Sequence, residues 1–210
     1  MSKLFWSIFL IGPRVFISKS STSNSKDHKG IEIFNQNVQS LGNKKINFEV
    51  LLSSPDFSNS DIICITEHWL RKDDFECYVI PNYKVLSKFC RINKKPGGSC
   101  IFVKLTLQAK PLAIFENISI EENFEASMVE VIQFKIAIIC IYRTPSSNHQ
   151  NLVENVDSVL KELLNIKKVI IVGDINVNFL GNLESLLNTY GLPPIINEPT
   201  NIGKKKSKTG

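Results

Sequence analysis

Four short apolar runs in this sequence each end in polar side chains that a buried strand has no use for. Ile31–Phe34 runs into Asn35-Gln36-Asn37, and Ile62–Thr66 into Glu67-His68. Ile136–Ile141 runs into Tyr142-Arg143, and Val169–Val172 into Gly173-Asp174-Ile175-Asn176. Strands that neighbour one another in a sheet deliver their terminal side chains to one place, a frequent setting for active sites. Convergence of these four would gather two carboxylates, two amides, a phenol and a guanidinium. A carboxylate with an amide oxygen suits a hard divalent cation such as Mg²⁺, whose remaining positions go to water and phosphate oxygens. The second carboxylate, Asp174, can orient or deprotonate an attacking water. Asn176 and Arg143 can hydrogen-bond a phosphate that gains charge in the transition state. Metal-assisted phosphodiester hydrolysis needs this set. Each residue alone also has a plainer reading: Asn37 as a cap or turn former, Glu67 as a solvated strand end, Tyr142-Arg143 as core edge and surface, Gly173-Asp174 as a turn pair.

The elements that must position these residues are readable from periodicity. Strands are predicted at Ile31–Asn35, Asp61–Thr66, Tyr83–Phe89, Ser99–Lys104, Ala126–Gln133, Lys135–Tyr142 and Lys168–Val172. Several are nearly continuous in Ile, Val and Cys, as strands buried on both faces read. Helices are predicted at Lys44–Leu52, His149–Asn165 and Leu183–Thr189, with Ser146, Ser147 or Asn148 capping the second. Lys94-Lys95-Pro96-Gly97-Gly98 and Gln133-Phe134-Lys135 read as reversals between antiparallel strands. The expected fold is α/β or α+β, with sheets inside and helices outside.

Bulk properties constrain the partners. The 210 residues carry a net charge of +5. Setting aside the five basic residues and one acidic residue of 1–30 and the four lysines of 204–208 leaves 16 basic against 19 acidic residues over 31–203. The body is therefore not a basic domain, and the whole-chain charge says little about nucleic acid. One local bias stands out: Cys77–Phe115 contains no acidic residue but holds Lys84, Lys88, Arg91, Lys94, Lys95, Lys104 and Lys110. It reads either as a phosphate-neutralising stripe or as a solvated face. The five cysteines form no CxxC pair. Cys64, Cys100 and Cys140 sit in apolar runs, which argues for a reducing compartment and against structural zinc. Leu4–Ile11 looks like a signal-peptide core without a small-residue cleavage site, and it is too short to span a bilayer. Residues 1–30 are therefore expected to be a leader and linker, 31–202 the domain, and 203–210 a basic tail, in a nuclear or cytoplasmic protein.

At the level of motifs the chain resembles the endonuclease/exonuclease/phosphatase family. The resemblance rests on Asn37-Val38-Gln39-Ser40-Leu41, Asp61–Leu70, Tyr142-Arg143-Thr144-Pro145-Ser146 and Ile170–Asn176, in the family's order. Pro96-Gly97-Gly98-Ser99 and Glu198-Pro199-Thr200 are similar to two further blocks. The spelling is most similar to the apurinic-endonuclease-like domain of non-LTR retrotransposons. This resemblance implies a four-layer α/β sandwich of two packed mixed sheets flanked by helices. It implies Asn37 and Glu67 at a metal site for Mg²⁺, with Mn²⁺ as an alternative, and Tyr142 as a phosphate contact. It implies Asp174 positioning the attacking water, Asn176 holding the scissile phosphate and Thr200 near the DNA strand. The implied reaction is hydrolysis of a DNA phosphodiester to leave a 3′-hydroxyl. Thr144 stands where the family usually has proline, and Ile175 where it usually has an aromatic residue. After the Pro-Thr block the family continues to a strand bearing another Asp and then to a Ser-Asp-His block; neither follows Thr200. The expectation is a domain without its last strands and with impaired activity, the alternative being an inactive remnant that at most binds nucleic acid.

Overall fold

A computed structural model of the chain describes residues 6–10, 14–17, 30–42, 53, 58, 60–94, 96–165, 168–176 and 181–192. The described strands form two five-stranded mixed sheets packed face to face. The first sheet has the order β2-β3-β4-β6-β5, built from β2 (Arg14–Ile17), β3 (Ile31–Asn37), β4 (Ile62–Thr66), β5 (Tyr83–Phe89) and β6 (Ser99–Lys104). The second has the order β1-β10-β9-β8-β7, built from β1 (Trp6–Leu10), β7 (Ala109–Pro111), β8 (Glu125–Val131), β9 (Ile136–Tyr142) and β10 (Lys168–Asp174). Helices α1 (His149–Glu162) and α2 (Gly181–Thr189) cover the outer face of the second sheet.

The period-two alternation explains why the central strands are apolar throughout. Ile62 and Cys64 of β4, Ile138 and Cys140 of β9, and Ile170 and Val172 of β10 point into the space between the sheets. Their neighbours Ile139, Ile141, Val169 and Ile171 point outward against Leu152, Val156, Val159 and Leu160 of α1. On the far side, Ile63, Ile65, Cys100 and Phe102 pack against Leu70, Phe75 and Ile80 of an irregular segment. Both faces of the middle stretches of these strands are therefore apolar. The helix expected at Lys44–Leu52 lies outside the described residues. The α1 helix stops at Glu162 and tightens into a 3-10 turn over Leu163–Asn165. Its cap is Asn148, whose side chain accepts the N–H of Gln150 at 2.9 Å.

Two features of the structure lie outside the sequence reading. Residues 6–10 and 14–17, assigned to a leader, form strands: β1 pairs parallel with β10, and β2 pairs antiparallel with β3. An apolar run with no helical partner satisfies its backbone equally well on a sheet edge. The short β7 was not anticipated either; three residues carry no readable period, and its Pro111 is tolerated because the strand is an edge. No helix among the described residues is long and apolar enough to cross a membrane.

Candidate active site at the strand ends

Strands β3 and β4 are parallel neighbours, as are β9 and β10, so each pair presents its carboxy ends together. The two pairs lie in different sheets, and their ends meet at Asn37. Its Nδ2 donates to Glu67 Oε1 at 2.7 Å and to Asp174 Oδ2 at 2.5 Å. One amide thus bridges two carboxylates from opposite sheets. All three side chains are half-buried. Tyr142 lies directly across the ladder from Asp174. Thr200 lies outside the described residues.

The backbone here is unusual. Glu67 has φ 55° and Asn176 has φ 49°, both in the left-handed region. Such a conformation costs an L residue other than glycine roughly 1–2 kcal/mol, and it persists only where the surroundings enforce it. For Glu67 the enforcement is visible: its N–H donates to Gly98 C=O at 2.8 Å, and Trp69 N–H donates to Gly97 C=O at 3.0 Å. The Trp69 indole N–H also reaches Glu67 Oε2 at 3.3 Å. For Asn176 the enforcement comes from Arg143. The Arg143 Nη1 donates to the carbonyls of Asn176 at 2.8 Å and Ile175 at 3.3 Å, and Nη2 donates to Ser147 C=O. Asn176 Nδ2 returns a bond to Arg143 C=O at 2.8 Å. Arg143 was expected to reach a phosphate directly. Its guanidinium is buried, and both terminal nitrogens donate to main-chain carbonyls while Nε has no partner.

Electrostatics keep the two chemical partners in different states. Burial pushes the Tyr142 phenol well above its ordinary range, and the negative Glu67 nearby pushes it the same way. Tyr142 is therefore a hydrogen-bond donor at any physiological pH. Burial also raises Asp174, against hydrogen bonds from Asn37 and Asn176 that lower it, with Glu67 again raising it. A carboxylate raised in this way is a stronger base than a solvated one.

His68 belongs to the scaffold. It is fully buried; Nδ1 accepts the Leu70 N–H at 2.9 Å, and Nε2 lies 2.9 Å from Phe89 C=O. Since Nδ1 accepts, the proton resides on Nε2. Burial lowers its pKa to about 4. The unfolded imidazole protonates below about 6.5, so this contribution to stability is full above pH 6.5 and is lost as pH falls toward 4. The loss amounts to about 3 kcal/mol. Urea midpoints of wild type and His68→Gln should differ at pH 7 and converge by pH 4.5; a constant gap would contradict the assignment.

Three of the seven basic residues of the stripe are paired with acids. Arg91 is buried against Glu125, Lys94 pairs with Glu122 at 2.7 Å, and Lys110 pairs with Glu130 at 3.0 Å. Acidic residues from elsewhere in the chain fold back onto it, and Lys95 lies outside the described residues. Sequence reading missed Glu125, which reads there as an unremarkable acid before a strand.

No family model and no curated protein matches the chain. Solved structures do. The endonuclease domain of TRAS1, a telomere-specific non-LTR retrotransposon, aligns with TM-score 0.52 at 14% identity, covering 76% of this chain and 68% of that one. The 3′-5′ exonuclease NExo from Neisseria meningitidis aligns with TM-score 0.50 at 18% identity, covering 69% and 57%. A mannosyl-6-phosphatase from Bacteroides thetaiotaomicron aligns with TM-score 0.50 at 13% identity, covering 76% and 70%. The chain spans less than two thirds of the exonuclease's length. With two packed mixed sheets, helices outside and polar strand ends meeting between the sheets, this chain has the endonuclease/exonuclease/phosphatase fold.

Proposed function

We propose that the strand-end site is a metal-dependent phosphodiesterase centre acting on DNA, of the retrotransposon endonuclease type. The observation that carries this reading is the Asn37 amide bridging Glu67 and Asp174 across the two sheets. The donor types fit Mg²⁺: Glu67 carboxylate oxygens and, once the Asn37 amide whose Nδ2 faces Glu67 turns over, its Oδ1, with no sulfur or imidazole among them and both side chains only partly buried. Mn²⁺ fits the same oxygens. Asn37 and Glu67 would hold the ion, which when bound supplies charge stabilisation to a phosphoryl oxygen.

The remaining steps fall to the chain's own side chains. Asp174 accepts a hydrogen bond from a water, aims it at phosphorus and takes its proton as the P–O bond forms. The opposite P–O bond breaks, and the departing 3′-oxygen takes a proton from solvent water to become the 3′-hydroxyl. Tyr142, held protonated, donates to a non-bridging phosphate oxygen. Asn176, locked in place by Arg143, holds the same phosphate. In these roles Arg143 acts through the loop it clamps. The proposed setting is nuclear or cytoplasmic, with the phosphate backbone of DNA as the partner surface.

The nearest imidazole in the sequence to Glu67 is His68, and both its ring nitrogens are engaged in the core. It cannot supply a general acid to the leaving oxygen. Absence of such a group lowers a rate by about 10²–10⁴-fold. This 210-residue polypeptide should therefore nick supercoiled plasmid with Mg²⁺, and not with EDTA, at single-turnover rates about 10²–10⁴ below those of nucleases with a general acid in place. DNA binding with no Mg²⁺-dependent nick would favour the inactive-remnant reading instead.

A further inference from the structure

Glu125 opens β8 and lies across the ladder from Tyr142. It is fully buried, and three donors converge on it. Arg91 Nε at 2.6 Å and the Glu122 N–H at 2.8 Å reach Oε1, and the Gly98 N–H reaches Oε2 at 2.6 Å. A buried carboxylate is stable only with such compensation.

Two arms lead from this carboxylate to the proposed site. Along the first, the Arg91 guanidinium carbon sits 5.8 Å from the centre of the Tyr142 ring. Its outer nitrogens are weakly held: Nη1 is 3.9 Å from Glu122 Oε1, and Nη2 has no hydrogen-bond partner. The bond from Nε to Glu125 therefore fixes where the cation stands. Gly97 leaves the room it needs, since a Cβ there would lie 2.1 Å from Nε. Along the second arm, the Gly98 N–H is held on Glu125; the Gly97 carbonyl of that same peptide unit accepts the Trp69 N–H, and the Gly98 carbonyl, on the next unit, accepts the Glu67 N–H. That bond helps hold Glu67 in its left-handed conformation.

The geometry points to Glu125 as a positioning residue that sets, through Gly98 and Arg91, the placement of Glu67 and Tyr142. It touches neither metal nor phosphate in this role. The inference rests on the phosphodiesterase reading above. Groups that orient a ligand from behind typically change metal affinity by about 10–100-fold when altered.

The test is calorimetric titration of Mn²⁺ alone into the purified full chain, with melting temperatures measured in parallel. Glu125→Gln should weaken Mn²⁺ binding about tenfold. Glu125→Asp keeps the charge for Arg91 but withdraws the carboxylate from Gly98, and should also weaken it, at least about fivefold; it carries the test if the Gln variant does not fold. Val156→Ala, which loosens the α1 layer, should lower the melting temperature and leave Mn²⁺ affinity unchanged. Mn²⁺ affinity within twofold of wild type in either folded Glu125 variant would overturn the inference while leaving the metal site intact. Wild-type protein that binds no Mn²⁺ would overturn the phosphodiesterase reading, and this inference with it.

Discussion

Asp174→Asn should leave a folded protein whose Mg²⁺-dependent nicking is reduced at least about a hundredfold, because a general base is typically worth 10²–10⁴ in rate. The substitution is nearly isosteric, and the new amide oxygen can still accept from Asn37, which bonds Asp174 at 2.5 Å in the wild type. The scaffold should therefore survive: urea midpoint and circular dichroism should stay close to wild type. What disappears is the proton acceptor, since an amide cannot take a proton from water at neutral pH. Single-turnover assays with protein in excess over plasmid give the sensitivity that a slow wild type demands. Nicking by Asp174→Asn at the wild-type rate would remove Asp174 from the mechanism. Equal loss of rate and of folding would assign it to the scaffold instead.

Gly173→Ala should destroy the fold. Gly173 has φ 132°, where an L side chain is strained, and its partner across the ladder is Ile141. A Cβ placed there would lie 1.9 Å from the Ile141 carbonyl oxygen and 2.8 Å from its N and C atoms. All three are main-chain atoms of β9, which is itself bonded on both sides. Neither strand can move without breaking a central ladder. The loss should exceed about 4 kcal/mol, a large fraction of the 5–15 kcal/mol that a domain of this kind has in total. Recovery of soluble protein and its urea midpoint decide the matter; an alanine variant with an unchanged midpoint would refute the close approach.

These two neighbours show what was legible in the sequence and what was not. The polar ends of the four apolar runs identified Asn37, Glu67, Tyr142 and Asp174 as candidates, because a dry strand has no other reason to finish on a carboxylate or an amide. Strands β5 and β6 came through with their observed limits, since alternation and the Pro96-Gly97-Gly98 break bound them on both sides. Gly173 was harder: a Gly-Asp pair reads as a turn, yet β10 runs straight through it. Only the approach of β9 explains the glycine, and that approach is a tertiary fact. Arg143 reads as a phosphate ligand from its charge and its place at a strand end; the carbonyls that engage it come from more than thirty residues away as well as from nearby. Glu125 and Arg91 are separated by 34 residues, so nothing local distinguishes their buried ion pair from two surface charges. Local patterns reveal which side chains are out of place in a strand. They do not reveal which distant group a buried charge will answer.

Residues 6–10 and 14–17 flank the two strands that carry the site. Strand β1 shields β10, which bears Asp174, and β2 shields β3, which bears Asn37. The same amino acids cannot act both as an export signal that a peptidase removes and as the outer flank of both sheets. Removal after Ile17 would strip a neighbour from each of those two strands, leaving unpaired amide and carbonyl rows that invite another chain to dock. Export with cleavage would therefore give both sheets a new open edge, and recombinant versions begun at Ile31 would carry the same open flanks.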